Sequence, residues 1–118
     1  MHTESIHAIK ERGTKHDSEK PRMDLLDNYF LEGVASVLTF GAKKYTAHNW
    51  RQGISISRLI AAAYRHLGAF NNGEDNDPES KINHLFHLGC CIMFAAWTLK
   101  FKPELDDRYH NADKEKTQ

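Results

Sequence analysis

The run Leu85–Leu99, "LFHLGCCIMFAAWTL", constrains the fold more than any other stretch, because only His87 and Thr98 interrupt its apolar character. It is too long for an ordinary strand and too short and interrupted to span a bilayer. Its middle is apolar on every side. A helix of that kind is expected at the centre of a bundle, or shared with a second subunit. Cys90 and Cys91 sit inside it. Neighbours on one helix point in different directions and make poor disulfide partners, so they read as small core residues of a reducing compartment.

Two amphipathic stripes precede this run. Leu31, Val34, Ala35 and Leu38 follow helical spacing after Asp27, with Gly41 as a stop. Leu59, Ala63, His66 and Phe70 form the second stripe, with Ser55 or Ser57 as its cap. The third helix is expected to begin with Asp77 as N-cap, Pro78 in the first helical position and Glu79 complementing the dipole, and to run to about Lys100. There is no internal repeat and little strand signal. These features predict an all-α fold, a small bundle of three main helices with room for a short N-terminal one. A polar N-terminal segment spans 1–19, a single helical domain 20–103, and a solvated tail 104–118. A bundle this thin is expected to form a homodimer or larger homo-oligomer.

The chain has 118 residues, with 16 basic and 16 acidic side chains. That length suits one domain. The zero net charge argues against general nucleic-acid binding, which needs a basic excess. The N-terminal "MHTESIHAIKERG" has no apolar stretch of signal-peptide length. A cytoplasmic location with no membrane association is expected.

Chemistry concentrates in "GEDNDPESKINHLFH", Gly73–His87. Glu74 and Asp77 taken singly read as loop and cap residues. His84 and His87, spaced i, i+3, share a helix face near those acids and can ligate a divalent metal with them. His66 on the second stripe adds a third imidazole, as ligand or proton-transfer group. Glu32 on the first helix is a further ligand candidate. The spacing matches no standard zinc finger. The single His-Asp pair, His16–Asp17, lies in the polar N-terminal segment, which disfavours a His-Asp phosphohydrolase.

A second constellation is "FGAKKYTAHNWRQG". Lys43, Lys44 and Arg51 offer cations for phosphates, Tyr45 and Trp50 offer faces for a base, and Asn49 offers an amide for a base edge. The alternative is a connection whose aromatics plug the core. In "KPRMDLL", Lys20 and Arg22 are phosphate candidates, or a solvated basic lead into the first helix. Arg65, off the inward stripe, is a surface charge or a phosphate clamp.

The blocks "KPRMDLL", "VLTFGAKKY…NW", "SRLIAAAYRHLGAFNNGEDNDPES" and "HLFHLGCC" resemble, in the same order, phage-encoded dATP/dGTP diphosphohydrolases. These are associated with the MazZ enzymes of the all-α, MazG-like nucleotide pyrophosphohydrolases. The resemblance covers about residues 19–100. It implies hydrolysis of purine deoxynucleoside triphosphates to monophosphate and pyrophosphate, with Mg2+ or Mn2+ held by carboxylates of a helical bundle. MazG-like enzymes carry E-x-x-E on one helix and E-x-x-D on the next. This chain has no E-x-x-E, and its E-x-x-D at Glu74–Asp77 precedes the third helix. Either the site is rebuilt from His66, Glu74, Asp77, His84 and His87, or the chain binds a nucleotide or signal without cleaving it. Imidazole ligands would tilt metal preference from magnesium toward manganese or another transition metal.

Overall fold

The computed structural model describes residues 18–110. Three α-helices form the body: α1 (Asn28–Lys44), α2 (Ile56–Asn71) and α3 (His84–Phe101). Short 3-10 turns at Met23–Leu25, Asn49–Gln52 and Pro103–Leu105 punctuate the connections. The all-α reading holds. Among the described residues the β-pairing is an isolated antiparallel bridge, Asn76 to Asn83. His16–Asp17, most of the N-terminal segment and the last eight tail positions (111–118) lie outside the described residues.

Asp27 starts α1, its carboxylate accepting the Phe30 N–H at 2.9 Å. The helix runs past Gly41 to Lys44, which corrects the expected stop. A glycine ends a helix by turning left-handed. Gly41 is not among the positive-φ residues, and its carbonyl accepts the Tyr45 N–H at 2.8 Å. Lys43 and Lys44 occupy the last turn, where cations suit the helix dipole.

Ser55 is the N-cap of α2, but its side chain makes no capping bond. The cap is delivered from the C-terminal side. The Asp107 carboxylate accepts the Ser57 N–H at 2.8 Å and the Ser57 hydroxyl at 2.5 Å. The stretch after α3 is therefore tied to α2 at its start. Leu105 also covers Gly53, whose φ of 115° and close neighbour at 2.6 Å from an ideal Cβ leave no comfortable room for a side chain.

The start of α3 also differs from expectation. The helix begins at His84, with Asn83 as N-cap accepting the Leu85 N–H at 2.8 Å. Asp77 caps only a local turn. Its backbone N–H donates to the Ile82 carbonyl at 2.9 Å and its carbonyl accepts the Lys81 N–H at 2.8 Å. Lys81 then takes a left-handed φ of 64°, which no α-helix propagates. Residues 74–83 are thus a folded loop ahead of the helix.

α3 is in contact with both α2 and α1, more extensively with α2. The α1–α3 crossing is close because glycines lie on both sides. Phe86 lies over Gly33 and Phe30 over Gly89. Tyr29 and Phe30 meet the Phe86 ring edge-on at 5.5 and 5.7 Å. The fully buried apolar core is small: Val34, Ile56, Leu59 and Cys90, with His84 and Thr98 buried among them. α3 is central, yet it is not covered on every side, since Ile92 and Phe101 are about 60% exposed. At 18 residues it is long and apolar enough to cross a membrane by length and composition. This corrects the expectation, drawn from Leu85–Leu99 alone, that the segment is too short to span; α3 nonetheless contacts both other helices and buries His84 and Thr98. Both cysteines are free thiols, and burial pushes Cys90 up to about 12, which keeps it an unreactive core group.

Candidate active site

The end of α2 sets the geometry. Gly73 adopts φ 95°, and the Gly73 and Glu74 N–H groups donate back to Phe70 and Ala69, both at 3.0 Å. This reversal is a glycine C-cap. It leaves Glu74 beside the first turn of α3, where its Oε1 lies 2.7 Å from His84 Nε2. His84 Nδ1 lies 2.9 Å from His66 Nδ1. A carboxylate only accepts, so His84 donates its Nε2–H to Glu74. In the tautomer pair consistent with both bonds, His84 Nδ1 accepts from His66 Nδ1–H, which leaves the His66 lone pair on Nε2.

A second chain of bonds runs alongside. The His66 ring stacks on His87 at 4.5 Å, with 6° between planes. His87 Nε2 is 2.7 Å from the Ser80 hydroxyl, and that hydroxyl is 3.2 Å from Asp77 Oδ2. The same Asp77 oxygen accepts the Ser80 and Glu79 N–H groups at 2.9 and 3.1 Å. The carboxylate bonds the serine rather than orienting the imidazole, so the trio lacks the order of a nucleophilic triad.

Burial holds His66 below the ordinary imidazole value of 6.5, and the neighbouring His87 and His84 act in the same direction. Burial lowers His87 too, against the opposing pull of Asp77. Burial pushes the Asp77 carboxyl up, but hydrogen bonds from Ser80 and the charge of His87 outweigh it and keep the group below its usual range. The sign for stability follows. The folded chain binds fewer protons at His66 and His87 than the unfolded chain does. Their contribution is present above the unfolded value of 6.5 and lost as pH falls through the folded values. The metal-free protein is therefore expected to show a lower urea midpoint at about pH 5 than at about pH 8. An unchanged midpoint would contradict these histidines being held neutral by the fold.

His66, Asp77 and His84 each offer a ligand atom, and these atoms lie within 4.8 Å of one another. Two imidazoles and a carboxylate fit a divalent transition ion. Next to them opens a cleft of about 750 Å³ between the end of α1, the 45–54 connection and α3. His87 belongs to both, since it lines the cleft and stacks on His66. The other walls include Tyr45, Trp50, Phe94 and Trp97, with Lys44 at the edge. This size and lining suit a small organic ligand with an aromatic part.

The model of the family described as dATP/dGTP diphosphohydrolase, N-terminal, matches residues 10–108. The chain belongs to that family. It is also similar to a protein of Salmonella phage PMBT28 named dATP/dGTP diphosphohydrolase, 39% identical over 100 residues. That match takes in 85% of this chain and 34% of the relative, so the chain spans about a third of the relative's length. No solved structure matches the chain.

Within this family member, the structure brings five of the sequence-predicted residues into one connected group: His66, Glu74, Asp77, His84 and His87. Glu32 is not in it and stands exposed on α1. Tyr45, Asn49 and Trp50 line the cleft, whereas Lys20, Arg22, Lys43 and Arg65 do not. Arg22 pairs with Asp24 at 2.7 Å. Trp50 is stacked on Phe94 at 4.6 Å and covered by the Arg51 guanidinium at 4.3 Å. The core-plug reading of Trp50 therefore describes its present contacts. Sequence reasoning missed Ser80, although Asp77-x-x-Ser80 has the spacing of an Asp-capped turn. Of the lysine pair, Lys44 lines the cleft and Lys43 does not. A further E-x-x-D spacing, Glu104 and Asp107, belongs to the C-terminal stretch, where Asp107 is engaged with Ser57.

Proposed function

We propose that the chain hydrolyses purine deoxynucleoside triphosphates to monophosphate and pyrophosphate, with a divalent metal at the histidine–carboxylate cluster and the purine in the adjoining cleft. The observation that carries this reading is the contiguity of the two. His87 is at once a wall of the aromatic cleft and the ring stacked on His66, which with Asp77 and His84 forms the group that could hold a cation. A base entering beside Tyr45 and Asn49, and displacing Arg51 if it is to meet the Trp50 face, would direct its phosphates toward the cluster. The name carried by the Salmonella phage relative supports the substrate class.

His66, Asp77 and His84 would hold the cation, with Glu74 orienting His84 through its Nε2–H. A divalent cation held there would supply charge for the phosphate oxygens and a more acidic water for attack on phosphorus. This donor set suits Mn2+ better than Mg2+, which prefers oxygen ligands alone. His66 serves as ligand or as proton acceptor, not both: where it does not ligate the cation, its Nε2 lone pair would accept a proton from the attacking water. The setting is the cytoplasm of an infected host, and the protein acts as a homodimer or larger homo-oligomer. The uncovered apolar residues of α3, Ile92 and Phe101, favour that assembly.

The test is incubation with dATP and dGTP under Mn2+ and Mg2+, with products separated by ion exchange. Monophosphate with pyrophosphate is expected. A Glu74→Ala/Asp77→Ala double variant is expected to lose this activity while keeping its helical circular dichroism. Wild-type turnover by the folded double variant would refute the site. The lack of E-x-x-E favours a second reading, nucleotide binding without cleavage. Ligand stabilisation with no product under either metal would select it.

A further inference from the structure

Glu79 lies two residues after Asp77, in the loop that builds the cluster. Its Oε2 sits 2.8 Å from Lys44 Nζ, a contact that spans 35 positions of chain. Lys44 closes α1 and lines the cleft in company with His87. The pair therefore lies where cleft and cluster meet, and a triphosphate running from one to the other would pass it.

We propose that Lys44 is a phosphate-binding residue of this site, and that Glu79 occupies its ammonium as an internal stand-in until the triphosphate displaces it. The assignment rests on the nucleotide reading above. Both side chains are solvent-accessible, 43% and 61% exposed. An exposed pair of this kind adds little to stability, so exchanging its partner costs the fold little. The incoming group carries several negative charges against one on Glu79, and a phosphate oxygen makes the same charge-assisted bond to Nζ. Displacement leaves the Glu79 carboxylate in solvent rather than buried. Lys43, one position earlier, does not line the cleft.

The two partners then have opposite effects on binding. This separates exchange from a structural brace, in which removing either end weakens the site alike. The experiment is calorimetric titration of the full chain, with Mn2+ present, using α,β-methylene-dATP and, separately, deoxyadenosine. Lys44→Ala is expected to weaken the triphosphate analogue roughly tenfold or more. Glu79→Gln is expected to tighten it a few-fold, because a competing anion is gone. Deoxyadenosine binding is expected to be unchanged in both. Melting curves close to wild type establish that both variants fold. If both variants weaken the analogue, or Lys44→Ala leaves it unchanged, the Lys44 assignment falls while nucleotide binding stands. If the wild-type chain binds neither probe, the nucleotide reading falls and this assignment with it.

Discussion

If the proposed hydrolysis holds, replacing His84 with alanine is expected to reduce dATP and dGTP turnover by roughly 10–100-fold or more and to destabilise the fold at the same time. His84 is 3% exposed and uses both ring nitrogens, Nε2 to Glu74 at 2.7 Å and Nδ1 to His66 at 2.9 Å. Removing the ring releases Glu74 and His66 and deletes the Nδ1 that would have to turn from His66 to a bound cation. His66 Nδ1–H loses its acceptor, and a half-buried donor left without a partner costs about 1–3 kcal/mol. The space left behind adds to that. His84→Gln separates the two effects. It fills most of the volume but cannot bridge Glu74 and His66 with the same geometry. It is expected to recover melting temperature and not rate. Steady-state kinetics beside chemical denaturation reads both. A His84→Gln protein with wild-type kcat would remove His84 from the site.

Gly33→Val is expected to be the most destabilising single change on α1. The Phe86 ring occupies the space that any side chain at Gly33 would need, and Gly33 is buried. The ring cannot retreat freely, because Tyr29 and Phe30 flank it at 5.5 and 5.7 Å. Gly89 faces the same limit, with Phe30 at 2.6 Å from an ideal Cβ. Overpacking of this kind costs about 1–3 kcal/mol, and separating α1 from α3 adds lost burial. A drop in melting temperature of roughly 4–8 °C per kcal/mol follows for a domain of this size. The proposed hydrolytic rate of the folded fraction is expected to fall as well, because α1 carries Lys44 and part of the cleft wall. Thermal unfolding followed by circular dichroism measures the first effect. A Gly33→Val protein as stable as wild type would mean that the helices do not meet there.

Helix type and count were legible because each stripe repeats at helical spacing, and the Leu85–Leu99 run could hardly form anything else. Helix ends were less legible. Gly41 could stop α1 by composition, but a glycine ends a helix only if the chain turns left-handed there, and it does not. Asp77–Pro78 has a strong helix-start pattern. The start slipped to His84 because Lys81 turned left-handed and Asp77 spent its carboxylate on a one-turn cap.

The sequence by itself determined that this chain is all-α, that α3 is its central element, and which residue types could meet a metal or a nucleotide. Periodicity and side-chain chemistry are local, so they can be read along one chain. Only the tertiary structure decided that Glu74 reaches His84 and that His66 stacks on His87. It also decided that Lys44 rather than Lys43 reaches the cleft, and that Glu32 stands apart. Those outcomes depend on the rotation of α1 and α2 about α3. That rotation is set by close approach at Gly33 and Gly89 and by the reversal at Gly73, contacts between positions far apart in the chain that no local pattern encodes.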